Sequence, residues 1–236
     1  KGWVLEDCSF TINRGQTVGL VGENGSGKST IAKLILRLYD VNEGRILLNG
    51  VDIREYAIDR YRALFGALFQ DFVKYSFTLR ENIALSDYSQ LDNDEKILDA
   101  AEKSEAAEFT RDWKKGIDTP LTREFSADGA NFSVGQQQLL SIAGIYARDC
   151  DVIVLDEPSS ALDPIAERDM YETMLKACQG KTVIFITHRL SSVQDADRIL
   201  LCEHGTILEE GTHAQLMARN GKYARMFSAQ AAAYRL

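Results

Sequence analysis

Residues 22–30 read Gly-Glu-Asn-Gly-Ser-Gly-Lys-Ser-Thr, between an apolar run at residues 17–21 and a second one at residues 31–36. The first run predicts a buried strand and the second predicts a helix. This order of elements matches the P-loop pattern, in which glycines let successive backbone N–H groups point into one concavity. The helix N-terminus adds partial positive charge, so the concavity suits phosphate. The alternative is a glycine-rich turn before an ordinary helix, but the flanking elements favour the phosphate-binding loop.

Two side chains of this loop fit the chemistry of a bound nucleoside triphosphate. Lys28 can reach the terminal phosphates, which makes it a candidate for catalysis as well as for binding. The hydroxyl of Ser29 can ligate Mg²⁺. The predicted nucleotide-binding residues of the loop are Gly22, Glu23, Asn24, Gly25, Ser26, Gly27, Lys28, Ser29 and Thr30.

The composition is that of an ordinary folded protein, with 45% hydrophobic and 26% charged residues in a chain of 236, which allows one well-buried core. A net charge of -8 argues against a general nucleic-acid binder, because phosphate backbones recruit surplus lysine and arginine. The four cysteines lack any C-x-x-C spacing, which favours reduced thiols over a disulfide framework or a zinc site. No apolar run approaches the roughly 18 residues that span a bilayer. Because the sequence begins at Lys1 without methionine, we expect a membrane portion upstream.

The pattern along the chain is mixed α/β. Residues 3–12 alternate well enough for a strand, and Asn49-Gly50 suits a tight hairpin after a strand at residues 45–48. Further strands are expected at residues 67–71, 152–156, 182–186, 199–202 and 206–208. Helices are expected at residues 79–85, 92–107, 109–115, 164–178, 213–217 and 222–233, and from an N-cap at Ser133 to about residue 147.

Four polar residues come directly at the ends of predicted strands: Gln70, Asp156, Glu157 and His188. Because the carboxyl ends of parallel strands meet at one edge of a sheet, we expect them to gather around the glycine-rich loop. Asp156 would hold Mg²⁺, and Glu157 would orient and deprotonate a water that attacks the γ-phosphate. His188 would hydrogen-bond to the γ-phosphate, and Gln70 would ligate Mg²⁺ or sense the attacking water. The alternative for each is a solvated strand end or a structural side chain.

With this set of motifs the chain resembles the nucleotide-binding (ATPase) domain of an ATP-binding cassette (ABC) transporter, over nearly its whole length. The resemblance implies an α/β fold: a P-loop NTPase (RecA-like) core with a mainly parallel central sheet, an antiparallel β subdomain and an inserted α-helical subdomain. It also implies a single domain over residues 1–236. The catalytic core would cover about residues 1–75 and 149–211, the helical subdomain about 76–148, and the C-terminal helices about 212–236.

The resemblance assigns the remaining motifs. Residues 22–30 correspond to the Walker A loop, residues 152–156 to Walker B, and residues 160–163 to the D-loop. Glu157 matches the catalytic glutamate, His188 the switch histidine and Gln70 the Q-loop glutamine, so that Ser29, Gln70 and Asp156 are the expected Mg²⁺ ligands. In this family two such domains close head to tail, and each ATP lies between one Walker A loop and the partner's signature. A second nucleotide-binding domain is therefore an expected partner, and nucleic acid is not.

The signature departs from the family's usual LSGGQ. Residues 132–136 read Phe-Ser-Val-Gly-Gln, so the ATP contacts expected here are Ser133, Gly135 and Gln136, with Val134 in place of the first glycine. A β-branched residue adds bulk and disfavours positive φ, so we predict a weakened signature; the alternative is a small backbone shift that tolerates Val134. Because Glu157 and His188 are intact, the pattern resembles exporters built from two unlike halves, so we expect a heterodimer with one impaired site; the competing hypothesis is a homodimer with two slow sites. Trp3 is the nearby candidate for the adenine-stacking aromatic, with packing at a strand edge as the alternative.

Residues 187–191, Thr-His-Arg-Leu-Ser, resemble the corresponding residues of exporters more than those of importers. An exporter implies a transmembrane domain as partner and a location at the cytoplasmic face of the cell membrane. Residues 69–75 are similar to those of bacterial peptide exporters, and Phe72, Tyr75 and Phe77 are candidates for contact with the membrane domain. The alternatives are a soluble ABC-type ATPase that is not coupled to transport, and, less favoured, a P-loop kinase.

Overall fold

The computed structural model describes residues 2–69, 75–123, 129–130, 132–157, 171, 174–175, 178 and 180–233. The chain divides into two compact units. The first unit contains Lys1–Phe65, Cys150–Glu157 and Gly180–Leu236, and the second contains Gly66–Asp149 and Pro158–Gln179.

The chain contains both strands and helices. The strands are β1 (Thr17–Val21), β2 (Leu47–Leu48), β3 (Val51–Asp52), β4 (Phe65–Leu68), β5 (Val152–Asp156), β6 (Thr182–Thr187), β7 (Arg198–Glu203) and β8 (Thr206–Gly211). The described helices are α1 (Lys28–Ile35), α2 (Ile58–Ala63), α3 (Leu79–Ala84), α4 (Asp94–Lys103), α5 (Ala106–Thr110), α6 (Val134–Ala147), α7 (His213–Arg219) and α8 (Lys222–Ala233). The expected helix at residues 164–178 lies largely outside the described residues.

The first unit is built on a mainly parallel sheet, as predicted. Within this unit the strand order is β5-β6-β1-β7-β8, and only the last pair is antiparallel. The central strands are apolar because both faces are covered, and all six residues of β6 are buried. In the register, Val21 pairs with Thr187 and Asp156 pairs with Ile186. The carboxyl ends of β1, β5 and β6 therefore lie side by side, and the segments that follow them leave the sheet at one edge.

The predicted hairpin is present, but it is short. β2 pairs antiparallel with β3, and the two turn residues, Asn49 and Gly50, have φ values of 53° and 84°. Positive φ at both positions is what a tight two-residue hairpin requires, and asparagine and glycine are the residues that tolerate it. This hairpin is the antiparallel sheet of the fold.

The prediction of a strand at residues 3–12 is wrong. This segment has no strand structure, and most of its side chains are exposed, with Trp3 at 59%. Its contacts with the rest of the first unit include single bonds, such as Glu6 N–H to the Gly205 carbonyl and Arg198 to the Thr11 carbonyl. A strand needs a ladder of bonds to a neighbour, which alternation of side chains alone does not supply.

The second unit has a helical core. Helices α3, α4 and α6 bury apolar residues against one another, including Leu79, Ile97 and Leu140, and Trp113 and Phe132 pack at the edge of this cluster. The single helix predicted at residues 92–107 is broken, since Glu105 has a φ of 63° and separates α4 from α5. The helix predicted at residues 109–115 is also wrong, because α5 ends at Thr110 and turns follow.

Two helices of the second unit, α3 and α6, begin with a capping box. The Thr78 hydroxyl accepts a bond from Glu81 N–H at the start of α3, and the Glu81 carboxylate accepts one from Thr78 N–H. Ser133 and Gln136 form the same reciprocal pair at the start of α6, at 3.2 and 3.0 Å. The predicted N-cap at Ser133 is therefore confirmed. Over the described part of the chain, none of the helices has the length and apolar character that crossing a membrane requires.

Candidate functional site

The loop between β1 and α1 forms a cradle because of its glycines. Gly22, Gly25 and Gly27 have φ values of 150°, 80° and 105°. A Cβ at Gly22 would lie 2.2 Å from the carbonyl oxygen of Cys202, so no side chain fits there. Gly25 has open space around it, and its positive φ alone accounts for glycine. Gly27 is the N-cap of α1 in the left-handed region, and it directs the following N–H groups out of the helix end.

Lys28 is held inside this cradle. Its ammonium donates to the carbonyl oxygens of Gly22 and Glu23, both at 2.9 Å, and the residue is 5% exposed. Burial lowers the pKa of Lys28, and the nearby carboxylates of Glu157 and Asp156 act in the opposite direction. The lysine therefore ties the loop together and keeps a positive charge beneath it.

Asp156, the last residue of β5, is a buried carboxylate that is short of partners. It is 5% exposed, and its Oδ1 has no hydrogen-bond partner within the described residues. Desolvation by burial raises the pKa of Asp156, and a hydrogen bond from the Ser29 side chain acts against this shift. A buried oxygen that lacks a partner costs free energy unless a cation or water completes it. The Ser26 hydroxyl is another buried group at this loop that finds no partner in the described part of the chain.

Glu157 follows Asp156 in a strained backbone conformation. Its φ is 49°, in the left-handed region, and its N–H donates to the Ile186 carbonyl at 2.9 Å. Glu157 Oε1 lies 3.0 Å from Nδ1 of His188, with the two side chains 15% and 43% exposed. An ionised carboxylate only accepts hydrogen bonds, so Nδ1 of His188 donates in this contact. Strain of this kind persists where surrounding structure enforces it, and it is enriched at active sites.

The sheet edge thus brings together most of the predicted site residues of the first unit. The loop, Lys28, Ser29, Asp156, Glu157 and His188 all follow or adjoin the ends of β1, β5 and β6. Thr30 lies within α1. Gln70 and residues 160–163 of the predicted D-loop lie outside the described residues. The roles assigned to all these residues stay predictions.

The predicted signature residues belong to the second unit, at the start of α6. Ser133 is exposed and its hydroxyl is engaged in the capping box, while Gly135 and Gln136 lie in the first turn. Val134 is the first residue of the helix, so its backbone is helical. The argument that valine disfavours positive φ therefore does not apply. The prediction of a weakened signature then depends on the bulk of valine alone.

Sequence patterns did not reveal several contacts that support the site. The Cys202 thiol donates to the Ser26 carbonyl at 2.9 Å, and Gly205 N–H donates to the same oxygen at 3.0 Å. Lys222 on α8 lies 3.1 Å from a carboxylate oxygen of Glu23. No motif marks Cys202, Gly205 or Lys222, because they are distant in sequence from the loop that they contact.

Comparison with known proteins identifies the family. The model of the ABC transporter family matches residues 5–160. The chain is 42% identical over 229 residues to the ATP-dependent lipid A-core flippase of Haemophilus ducreyi, covering 96% of this chain and 38% of the relative. It is 40% identical over 227 residues to YgaD of Bacillus subtilis, named for an inferred role as a multidrug export ATP-binding/permease protein, again covering 96% of this chain and 38% of the relative.

A solved structure agrees with these relatives. A bacterial Atm1-family ABC exporter with ATP bound superposes with a TM-score of 0.86 at 35% identity, over 97% of this chain and 39% of that one. The chain thus spans about two fifths of the length of these proteins, consistent with one domain of a larger assembly in them. The fold, the family model and the relatives agree that the chain belongs to the ABC transporter family and is an ATPase domain of the exporter type.

Proposed function

We propose that this domain binds ATP in the loop of residues 22–30, hydrolyses it with Glu157 as general base, and thereby powers export across a membrane. The observation that carries the proposal is the contact of 3.0 Å between Glu157 and His188, at the same sheet edge as buried Asp156 and Lys28. Phosphoryl transfer requires a general base, a residue that holds that base, a positive charge near the phosphates and a carboxylate that can bind a metal ion.

Lys28 would exchange partners when ATP binds. Its ammonium now donates to two loop carbonyls, and those bonds keep the lysine inside the cradle. Phosphate oxygens carry more charge than carbonyl oxygens and make stronger hydrogen bonds with an ammonium. The lysine therefore supplies a preorganised charge for the β- and γ-phosphates, and loop N–H groups supply further donors.

The residues at the end of β5 fit a magnesium ion. Asp156 offers an oxygen that has no partner among the described residues, and the Ser29 hydroxyl bonds to the same carboxylate. Both groups supply hard oxygen ligands. Gln70 would be a third ligand. When bound, Mg²⁺ would neutralise charge on the β- and γ-phosphates. The Ser29 hydroxyl would then be a ligand of the ion instead of a donor to Asp156. The ion would also satisfy Oδ1 of Asp156.

Glu157 and His188 would act on the attacking water and on the γ-phosphate. The carboxylate of Glu157 orients the water and takes its proton, while the histidine fixes that carboxylate through Nδ1. With Nδ1 as donor, the other ring nitrogen can donate to a γ-phosphate oxygen only if the ring carries both protons. The two residues thus form one unit, and losing either removes hydrolysis more than binding.

We further propose that catalysis needs a second nucleotide-binding domain. The N-terminus of α6 ends in an exposed Ser133 and helical N–H groups, a site suited to the γ-phosphate held by a partner. Ser133, Gly135 and Gln136 would contact that phosphate. Val134 adds bulk at this point, so this chain's own signature would complete an impaired site while its Walker A loop and Glu157 work with an intact signature of an unlike partner.

A transmembrane domain would be the second partner, at the cytoplasmic face of the cell membrane. The relatives support this proposal, because the name of YgaD joins an ATP-binding and a permease part. In the second unit, Tyr75 and Phe77 are 46% and 45% exposed and their rings stack with centroids 5.7 Å apart. Two exposed aromatics suit a contact with membrane-domain loops better than a core. Phe72, the third candidate, lies outside the described residues.

The substrate we propose is a peptide, on the similarity of residues 69–75 to peptide exporters. The relatives are named for lipid A and for drugs, so peptide, lipid and drug are the three classes to compare. Stimulation of ATP hydrolysis by peptides, with no response to lipid A or to drugs, would support the peptide. A response to lipid A alone would overturn it.

The test of the proposed function uses the full-length protein in membranes. The expected result is ATP hydrolysis that needs Mg²⁺ and falls to a small residual rate in Glu157→Gln and His188→Ala, with ATP binding retained. Rates that do not change in Glu157→Gln would contradict the role of the base. Recovery of all activity in a fraction without membranes would favour the soluble ATPase.

The heterodimer has its own test. If the protein expressed alone forms a dimer that turns over ATP at both sites at rates near 1 to 100 per second, a range borrowed from phosphoryl-transfer enzymes, the two-site homodimer is correct. If activity appears only on co-expression with a second chain that has an intact signature, the asymmetric dimer is supported.

A further inference from the structure

The side-chain amide of Gln230, on α8, bonds to the backbone on both sides of Arg189. Its Oε1 accepts a bond from Leu190 N–H at 2.9 Å, and its Nε2 donates to the His188 carbonyl at 2.7 Å. Both halves of the amide are therefore used on the segment that carries the histidine. Gln230 itself is half-buried.

Local contacts also hold this segment. Arg189 N–H donates to the Thr187 hydroxyl at 2.9 Å, and Leu190, which is fully buried, begins a short 3₁₀ turn that ends at Val193. The His188 carbonyl and the Leu190 N–H lie where β6 has ended, so the sheet does not pair them. Gln230 supplies the partners that the ladder no longer provides.

The other end of α8 is anchored independently. Tyr223 is fully buried and its hydroxyl lies 2.8 Å from Nδ1 of His213, while Lys222 pairs with Glu203 and Glu23. Gln230 follows Lys222 by eight residues, or about 12 Å along the helix. Because the helix is fixed at its start, it holds the amide of Gln230 at a defined position. The bonds from Gln230 to the His188 segment are therefore determined by the position of the helix.

We propose that Gln230 is a positioning residue for ATP hydrolysis. It acts through His188: by fixing the backbone at the His188 carbonyl, it keeps the imidazole on the carboxylate of Glu157 at 3.0 Å. The inference rests on the proposed function, in which Glu157 and His188 act as one unit. Misplacement of a catalytic group by about 1 Å can lower a rate by about two orders of magnitude, so a backbone bond at this position reaches the chemistry.

Two variants separate the bonds from the packing. Gln230→Glu keeps the shape and the acceptor for Leu190 N–H but removes the donor to the His188 carbonyl, and Gln230→Met removes both. Ser228→Ala is the matched control, because Ser228 is exposed on the same helix. In the full-length protein, we expect kcat for ATP to fall about tenfold in both Gln230 variants with KM within about twofold of the parent, and no change in Ser228→Ala.

A double-mutant cycle tests the route through His188. In a His188→Ala background, measured under single-turnover conditions, Gln230→Met should change the rate by less than about twofold, because a positioning residue has nothing left to position. An equal loss in both backgrounds, or a kcat unchanged in both Gln230 variants, would overturn the inference.

Histidine NMR provides a readout that is independent of activity. With ¹⁵N-labelled histidine, the ring signals of His188, assigned through His188→Ala, should shift in Gln230→Met, while those of His213, which reports the start of α8 through Tyr223, should not. Shifts of both signals would mean that the helix has moved, and Gln230 would then be only structural. If Glu157→Gln retains hydrolysis, the proposed function itself fails; if it abolishes hydrolysis and the Gln230 variants do not reduce it, only this inference fails.

Discussion

Glu157 stores backbone strain that substitution can release. Its φ of 49° places a residue with a Cβ in the left-handed region, which costs about 1–2 kcal/mol. Glycine at this position removes the cost, but it adds freedom to the unfolded chain that costs about 0.4–1 kcal/mol. Both Glu157→Gly and Glu157→Ala lose the contact with His188, so the difference between them isolates the backbone term. We expect Gly to be more stable than Ala here by about 0.5–1 kcal/mol.

The assay is thermal unfolding of the two variants without nucleotide. For a domain of this size, about 1 kcal/mol corresponds to about 2–4 °C in Tm, so Glu157→Gly should melt about 1–4 °C above Glu157→Ala. Ser228 provides the control, because it is exposed within helix α8. There the order should reverse, with Gly about 1 kcal/mol less stable than Ala.

An equal or lower Tm for Glu157→Gly than for Glu157→Ala would refute the reasoning, because the left-handed backbone would then store no strain. Hydrolysis should fall by about 10²–10⁴ in both variants, since the loss of a general base is independent of the strain. The two variants would thus differ in stability but not in their loss of activity.

Three further predictions concern the loop, the metal site and a helix cap. Gly22→Ala should abolish ATP binding or folding, because its Cβ would meet the Cys202 carbonyl at 2.2 Å, whereas Gly25→Ala should cost only about 1–2 kcal/mol from positive φ; titration with ATP and thermal melting compare them. Asp156→Asn should raise the Tm of the nucleotide-free protein, because burial makes the charged form of Asp156 unfavourable, as its raised pKa indicates, and the substitution removes that charge. The same variant should lose Mg²⁺-dependent hydrolysis. A lower Tm would contradict the expected effect on stability. Thr78→Ala should destabilise the second unit by about 1 kcal/mol in urea unfolding, through loss of the N-cap of α3, and an unchanged midpoint would contradict it.

The sequence was sufficient to predict the strands and the loop that bind the nucleotide in our proposal. The strands β1, β5 and β6 are continuous apolar runs with covered faces, and each ends in a polar group or a glycine loop, so period and position agree. The N-cap at Ser133 and the hairpin turn at Asn49-Gly50 could also be predicted, because the chemistry of these positions is local. Local rules identify residues whose partners are close in sequence.

The errors have a common physical cause. Residues 3–12 alternate like a strand, yet whether a strand forms depends on a neighbour that alternation cannot supply. The break at Glu105 has no glycine or proline to mark it, since the left-handed residue is a glutamate. Gln230 is a polar residue among alanines, and only the fold shows that its amide meets the His188 segment.

The central claim is that ATP hydrolysis requires Glu157 and a head-to-tail pair of domains. The measurement that tests it most directly is Mg²⁺-dependent ATP hydrolysis by this purified chain against its concentration, beside Val134→Gly and Glu157→Gln. We predict a low rate per domain that rises with concentration, a higher one in Val134→Gly, and none in Glu157→Gln. A rate per domain that is independent of concentration and unchanged in Glu157→Gln would contradict the claim.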